Sequence, residues 1–320
     1  MLSQIALGSM CACAADSLAK AVRLGIVGPE TAATMPPRTL SAFRQRLAQL
    51  GWVEGQNLTV EWRWAGGHYD RLPALVSDVL ERKVDVLVTW TTPAVIAAKN
   101  ATRTVPIVAG GMGDPVRSGL VASLAQPGGN LTGMSLGFSE GVASKWLELL
   151  QEAVPQLSTF AVISNPGNPA NRDYTRELET TAASRGLKLR VIEVREADAF
   201  DRAFAQAGRQ AQAVVVIPDP LTVINRGRIA ALAARHRLPA MYGLHPFLEA
   251  GGMMAYAPDM TVMYRRMADY VDKILRGAKP AELPIEQPTQ YLLAVNLKAA
   301  KALGITIPES ILLRADEVIR

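Results

Sequence analysis

The chain is predicted to be an α/β protein made of two doubly wound lobes. Three observations predict this. From Val22 onward, short β-branched runs alternate with amphipathic stretches of about ten to fifteen residues. The alternation runs through one series, meets the Gly/Pro-rich segment Gln126–Gly137, and then restarts. The length of 320 residues also suits two domains at roughly 150 residues each. Strands followed by helices of this size form right-handed βαβ units with parallel strands, hence Rossmann-like lobes.

The first series opens with Val22–Gly28, whose apolar composition is that of a buried strand. Thr39–Leu50 follows as a helix, and the alternating Leu58–Ala65 as a strand. Asp70–Arg82 is a helix with Asp70 as its cap and Leu72, Leu75, Val76, Val79 and Leu80 along one face. Val84–Trp90 is a strand, Pro93–Ala101 a helix, Pro106–Gly110 a strand and Val116–Ala125 a helix. The second series gives helix Ser139–Val154, strand Thr159–Asn165, helix Pro169–Arg185 and strand Leu187–Val194. It continues with helix Ala197–Gly208, strand Ala213–Asp219, helix Thr222–His236 and strand Pro239–Gly243. The last third is less regular, with a helix at Met260–Arg276, a Pro-rich stretch Pro280–Pro288 and a short helix near Asn296–Leu303.

Composition excludes several function classes. The net charge of +5 is small and spread along the chain, with no basic run or basic–aromatic stripe to bind nucleic acid. No apolar run reaches the roughly 18–20 residues of a membrane-spanning helix. The two cysteines are Cys11 and Cys13, so the body holds no thiol nucleophile, thiolate metal site or disulfide. Residues 1–15 are apolar, rich in small side chains and end in Ala12-Cys13-Ala14, the pattern before a signal cleavage site. They are read as the remnant of an export signal lacking its basic start, with the mature chain beginning near Asp16.

In open α/β sheets, ligands bind beyond the carboxyl ends of the strands. The turns there contain Trp90-Thr91-Thr92-Pro93, Gly113-Asp114-Pro115, Asn165-Pro166-Gly167-Asn168-Pro169, Asp219-Pro220 and Tyr242-Gly243-Leu244-His245. Thr92-Pro93, Asp114-Pro115 and Asn168-Pro169 each pair a capping residue with Pro at the first helical position. Helix starts gathered on one edge turn free N–H groups and positive dipole ends toward a cleft, which favours a carboxylate or phosphate. Thr91 and Thr92 add hydroxyls, while Trp90 and Tyr242 could stack an apolar or aromatic ligand. Asp219 and Glu249 are candidates to pair a ligand ammonium. The candidate ligand-binding residues are therefore Trp90, Thr91, Thr92, Asp114, Asn165, Asp219 and Tyr242.

No strong catalytic constellation accompanies them. Gly133-Met134-Ser135-Leu136-Gly137 matches the nucleophile elbow, with Asp219 and His245 following in hydrolase order. A serine hydrolase is thus the alternative function. It is disfavoured because Pro127–Thr132 reads as loop rather than as the strand the motif requires. No dinucleotide or P-loop fingerprint is present, and His68, His236 and His245 lack metal-ligand spacing. No cofactor or metal is expected, and the chain is read as a binding protein rather than an enzyme.

Several segments together resemble the ABC-transporter substrate-binding family that includes tryptophan/tyrosine-binding proteins. They include Leu50-Gly51-Trp52-Val53-Glu54-Gly55-Gln56-Asn57, Glu61-Trp62-Arg63-Trp64-Ala65, Gly113-Asp114-Pro115-Val116 and Pro127-Gly128-Gly129-Asn130-Leu131-Thr132-Gly133. Gly251-Gly252-Met253-Met254, Gln287-Pro288-Thr289 and Asn296-Leu297-Lys298-Ala299-Ala300 extend the match through the second half. The resemblance implies a type I periplasmic-binding-protein fold with a three-segment hinge near Thr132–Gly137, Tyr256–Asp259 and Pro284–Tyr291. Lobe 1 would comprise 22–133 plus about 259–285, and lobe 2 about 138–255 plus about 292–320. The implied function is a periplasmic receptor that closes on a small ligand and presents it to an ABC permease and its ATPase subunit; the helix starts above make a carboxylate, such as an amino acid or aromatic acid, the expected ligand. In amino-acid-binding relatives the ligand carboxylate sits on Ser/Thr hydroxyls and helix starts of the first lobe, which corresponds to Thr91 and Thr92. The family pattern has Gly before Thr-Pro-Ala, where this chain has Thr91. A transcription regulator of the same fold would need a helix-turn-helix ahead of the first strand, and only 21 residues precede Val22. The expected receptor is a monomer.

Overall fold

The computed structural model describes residues 21–136 and 141–320. The signal reading of residues 1–15, the final glycine of the elbow pattern and the start of the Ser139 helix lie outside the described residues. The chain forms two sheets. The first is wholly parallel, in the order β11-β5-β4-β3-β1-β2. Its strands are β1 (Val22–Gly28), β2 (Leu58–Trp64), β3 (Val86–Trp90), β4 (Ile107–Met112), β5 (Leu131–Ser135) and β11 (Ile285–Glu286). Helices α2 (Leu72–Glu81) and α3 (Thr92–Ala101) cover one face, α1 (Pro37–Gln49) and α10 (Met260–Leu275) the other. The strands alternate accordingly. Leu24, Ile26, Val86 and Val88 pack toward α1 and α10, while Val27 and Leu87 pack toward α2 and α3.

The second sheet has the order β13-β12-β10-β9-β8-β6-β7. It contains β6 (Thr159–Ser164), β7 (Lys188–Glu193), β8 (Ala213–Val216), β9 (Ala240–Tyr242), β10 (Met254–Pro258), β12 (Tyr291–Asn296) and β13 (Glu317–Ile319). Helices α4 (Val142–Ala153), α5 (Pro169–Ser184), α11 (Leu297–Ala302) and α12 (Glu309–Leu312) lie on one face. On the other lie α6 (Phe200–Gln210), α7 (Pro220–Ile224), α8 (Arg226–Arg235) and α9 (Pro246–Glu249). The β10–β12 pair is antiparallel, so this sheet is mixed rather than purely parallel.

The chain passes between the sheets three times: from β5 to α4, from β10 to α10, and from β11 to β12. The irregular last third thus contributes α10 and β11 to the first sheet and the remainder to the second.

Several predicted elements are corrected. Val116–Ala125 is a succession of turns, not a helix. Gly119 at φ +70° ends the first turn, and Leu120 and Val121 then fold inward against Ile285 and the α3 alanines. Leu131–Ser135 is a buried strand rather than loop, paired with both β4 and β11. The Thr222–His236 helix begins at Pro220 and breaks at Asn225 into α7 and α8. Asp70 does not cap a helix; Tyr69–Arg71 is a 3-10 turn leading into α2. Gly28 permits a close approach, since a Cβ there would lie 2.4 Å from the Trp64 ring and 2.8 Å from Trp90.

Candidate functional site

A cavity of about 620 Å³ lies between the two sheets, where the strands end. The first sheet supplies Glu30 after β1, Trp90–Thr92 after β3, Gly111 from β4 and Leu136 after β5. The second supplies Asn168, Pro218–Pro220, Leu244–Pro246, Ala257, Pro258 and Leu292, and the crossing into α10 adds Asp259–Thr261.

One wall is the start of α3. Thr91 adopts φ +70°, ψ 148°, a conformation that favours glycine and strains a β-branched residue. Its backbone is pinned on both sides, the amide to Gly110 O at 2.9 Å and the carbonyl to Val95 N at 3.0 Å. Its Oγ1 is buried without a partner. Such an orphan hydroxyl costs free energy unless a ligand satisfies it. Thr92 is committed differently, since its Oγ1 accepts from the Gly113 amide at 2.9 Å and ties this helix start to the end of β4.

Two buried carboxylates also face the cavity, Asp219 from the second sheet and Glu30 from the first. Asp219, 2% exposed, caps α7 through Leu221 N at 3.0 Å. It also accepts from Asn165 Nδ2 at 3.0 Å, Asn168 Nδ2 at 2.9 Å and Tyr69 Oη at 2.7 Å. Burial pushes its pKa above the usual carboxylate range, and these donors oppose the rise. Tyr69 precedes α2, so this bond joins the two halves across the cleft. Arg226 with Thr34 O at 3.0 Å and Arg117 with Asp173 at 3.0 Å join them as well.

Glu30 is 6% exposed. Its Oε2 accepts from Trp90 Nε1 at 2.7 Å, and its own backbone amide assists. No cationic partner reaches it among the described residues. Burial raises its pKa to about 7, against the Trp90 bond and with a further push from Asp219. Between the polar walls lie Met35, Trp90, Tyr174, Met260 and Tyr264. Trp90 is clasped by Trp64 (ring centroids 6.0 Å) and Tyr264 (5.6 Å), so its ring is fixed as a wall.

Of the residues chosen from the sequence, Trp90, Thr91, Thr92 and Asp219 converge on this cavity, as does Glu249. Asp114, Asn165 and Tyr242 do not line it. Asp114 caps its own turn, accepting from Val116 N at 3.0 Å and Arg117 N at 2.9 Å. Asn165 stands behind Asp219 and orients it. Tyr242 points into the core beneath α9, stacked on Phe247 at 4.6 Å. Strand alternation decides this: the last residue of a strand can face either flank, and Tyr242 faces the helices.

Sequence reasoning missed Glu30, Tyr69, Tyr264 and the start of α1. The strand-end rule, applied to the first strand, would have found Pro29-Glu30. Nothing local marks Tyr69 or Tyr264, which arrive through packing. The hydrolase order is not assembled either. Asp219 is taken up by the four donors above, and His245 Nε2 bonds Glu317 at 2.8 Å. Ser135 is 1% exposed, within β5.

A cleft between two doubly wound sheets, lined by helix starts, buried carboxylates and an aromatic wall, is the architecture of a solute-binding protein. The chain belongs to the ABC transporter substrate binding protein family, whose profile matches residues 37–319. It is 23% identical over 263 residues to a tyrosine-binding protein of Clostridioides difficile, covering 82% of this chain and 75% of that one. A solved structure of a conserved domain protein from Vibrio cholerae shares 27% identity at a TM-score of 0.88, covering 93% of this chain and 100% of that chain. A domain from Streptococcus pneumoniae in complex with L-Trp shares 22% at a TM-score of 0.85, covering 93% and 99%. The family is one of solute-binding proteins, so the chain is a small-ligand binder and not an enzyme.

Proposed function

We propose that this protein receives an aromatic or large apolar α-amino acid in the cleft and delivers it to an ABC permease and its ATPase subunit. The observation that carries the reading is the cavity's polarity. Thr91 Oγ1 and the α3 helix start offer hydrogen bonds to a carboxylate, Glu30 and Asp219 offer negative charge, and aromatic and methionine side chains fill the space between. A zwitterion with an apolar side chain satisfies all three. The tyrosine-binding relative and the L-Trp complex support the same ligand class.

On this reading the protein acts outside the cytoplasmic membrane as a monomer. The three chain crossings form a hinge, and lobe 1 (22–133 plus about 259–285) and lobe 2 (about 138–255 plus about 292–320) close on the ligand. The contacts from Tyr69, Arg117 and Arg226 belong to the closed arrangement.

The test is thermal denaturation of refolded, ligand-free protein against amino acids, aromatic acids, sugars and nucleosides. A ligand at 100 times its Kd adds about 2.7 kcal/mol of stability. A rise in Tm with Trp, Tyr or Phe is expected. A rise with sugars or nucleosides alone would replace the amino-acid reading, and no rise with any of them would reject it.

A further inference from the structure

We propose that Glu30 is the residue that selects for a ligand ammonium group, with Asp219 standing behind it as an internally satisfied carboxylate. The inference rests on the amino-acid reading above and assigns the cation to one side chain. The two acids differ in what surrounds them. Asp219 accepts four hydrogen bonds, two at each oxygen, and serves helix α7, two asparagines and the Tyr69 contact. Its charge is spread over groups that are present whether or not a ligand is bound.

Glu30 has two neutral donors, the Trp90 indole at 2.7 Å and its own amide, and no basic side chain bonds it among the described residues. It faces a cavity large enough for an amino acid, with Trp90 holding its carboxylate in place. A buried carboxylate without a counter-ion is costly, and a cation entering beside it removes that cost. An amino acid therefore gains from its ammonium what the same acid without nitrogen cannot.

The titratable groups around Glu30 support this. Asp219 and the phenols of Tyr69 and Tyr264 face it electrostatically, and all disfavour its charge or are disfavoured by it. Arg38, at the start of α1, lines the same cavity but is exposed. With the carboxyl at about 7 in the free protein, binding of an ammonium expels a proton.

The experiment is isothermal titration of refolded protein with L-tyrosine, L-tryptophan and 3-(4-hydroxyphenyl)propanoate, the acid lacking the ammonium. Titrations at pH 6.5 in two buffers of different ionisation heat give the protons released. Wild type, E30Q and E30D are compared. Gln retains an oxygen for Trp90 Nε1, and Asp retains the charge. Expected for wild type is a strong preference for tyrosine over the deamino acid, with net release of protons on binding. E30Q is expected to lose that release and about 10- to 100-fold of the preference, with E30D recovering part of it.

If wild type binds tyrosine and E30Q keeps both the preference and the release, Glu30 is not the counter-ion, while the amino-acid reading stands. If wild type binds neither amino acid, that reading falls and this inference with it. The comparison of tyrosine with the deamino acid on wild type needs no variant, so a misfolded E30Q does not shield the inference. Equal affinity of wild type for the two would overturn it.

Discussion

Replacing Glu30 with Gln should stabilise the ligand-free protein at alkaline pH while weakening the ligand. Glu30 has an ordinary value of 4.5 and a folded value of about 7. A group whose folded pKa is raised contributes stability that is fully present below 4.5 and is lost as the pH rises through 7. The displacement corresponds to about 3 kcal/mol. E30Q carries no charge at any pH, so it escapes that loss, and its amide oxygen keeps the bond from Trp90 Nε1. For a chain of this size 1 kcal/mol moves Tm by about 2 °C. E30Q should therefore melt about 6 °C higher than wild type at pH 8, with the gap closing toward pH 5. The assay is thermal denaturation of refolded, ligand-free protein at both pH values. A gap independent of pH, or an E30Q protein that melts lower than wild type at pH 8, would refute the reasoning. A binding site that carries an uncompensated charge is expected to trade stability for affinity in this way.

Other perturbations follow from the same geometry. T91A removes a hydroxyl that bonds nothing in the free protein, so calorimetry should show a carboxylate ligand weakened by about 1.5–3 kcal/mol while the ligand-free Tm does not fall. A fall in Tm would mean that Thr91 Oγ1 holds the fold instead. Y69F deletes the bond from lobe to lobe at Asp219 and should raise the radius of gyration of the ligand-free protein in solution scattering; an unchanged radius would deny that contact a part in closure. The exposed Arg117–Asp173 pair should be worth no more than about 1 kcal/mol in a double-mutant cycle. A larger coupling would show that it is not solvent-screened. Gly28→Ala places a Cβ 2.4 Å from the Trp64 ring and should cost about 1–3 kcal/mol in urea denaturation; a neutral result would mean that the Trp64–Trp90 wall shifts freely.

The fold was legible where the pattern was local. Val22–Gly28 is a strand because six of its seven residues are apolar or small and fit a central, buried position, and the observed β1 has those bounds. Met260 to Leu275 is a helix because its buried residues recur at helical spacing, with Asp259 capping Thr261 N and Val262 N. The Leu131–Ser135 strand was illegible because a Gly/Pro-rich approach resembles a loop, and one of its two partners, β11, comes from a distant part of the chain. The same holds for β12, whose antiparallel partner β10 lies some thirty-odd residues earlier. At the site, Trp90 and Asp219 were legible because Trp90 ends one apolar strand and Asp219 follows shortly after another.

The sequence by itself determined the two doubly wound units, the helix start at Pro169 with its Asn168 cap, and the family, because these rest on neighbouring residues and short-range periodicity. Only the tertiary structure decided which strand-end residues face the cleft. Tyr242 and Trp90 both end strands, yet one is buried against Phe247 and the other lines the cavity. Only the folded chain also brings Tyr69 to Asp219, across 150 residues of sequence. It alone buries Glu30 beside Trp90 and Asp219 without a cation. Burial and electrostatic compensation depend on what the whole chain packs around a side chain, and no local pattern records that.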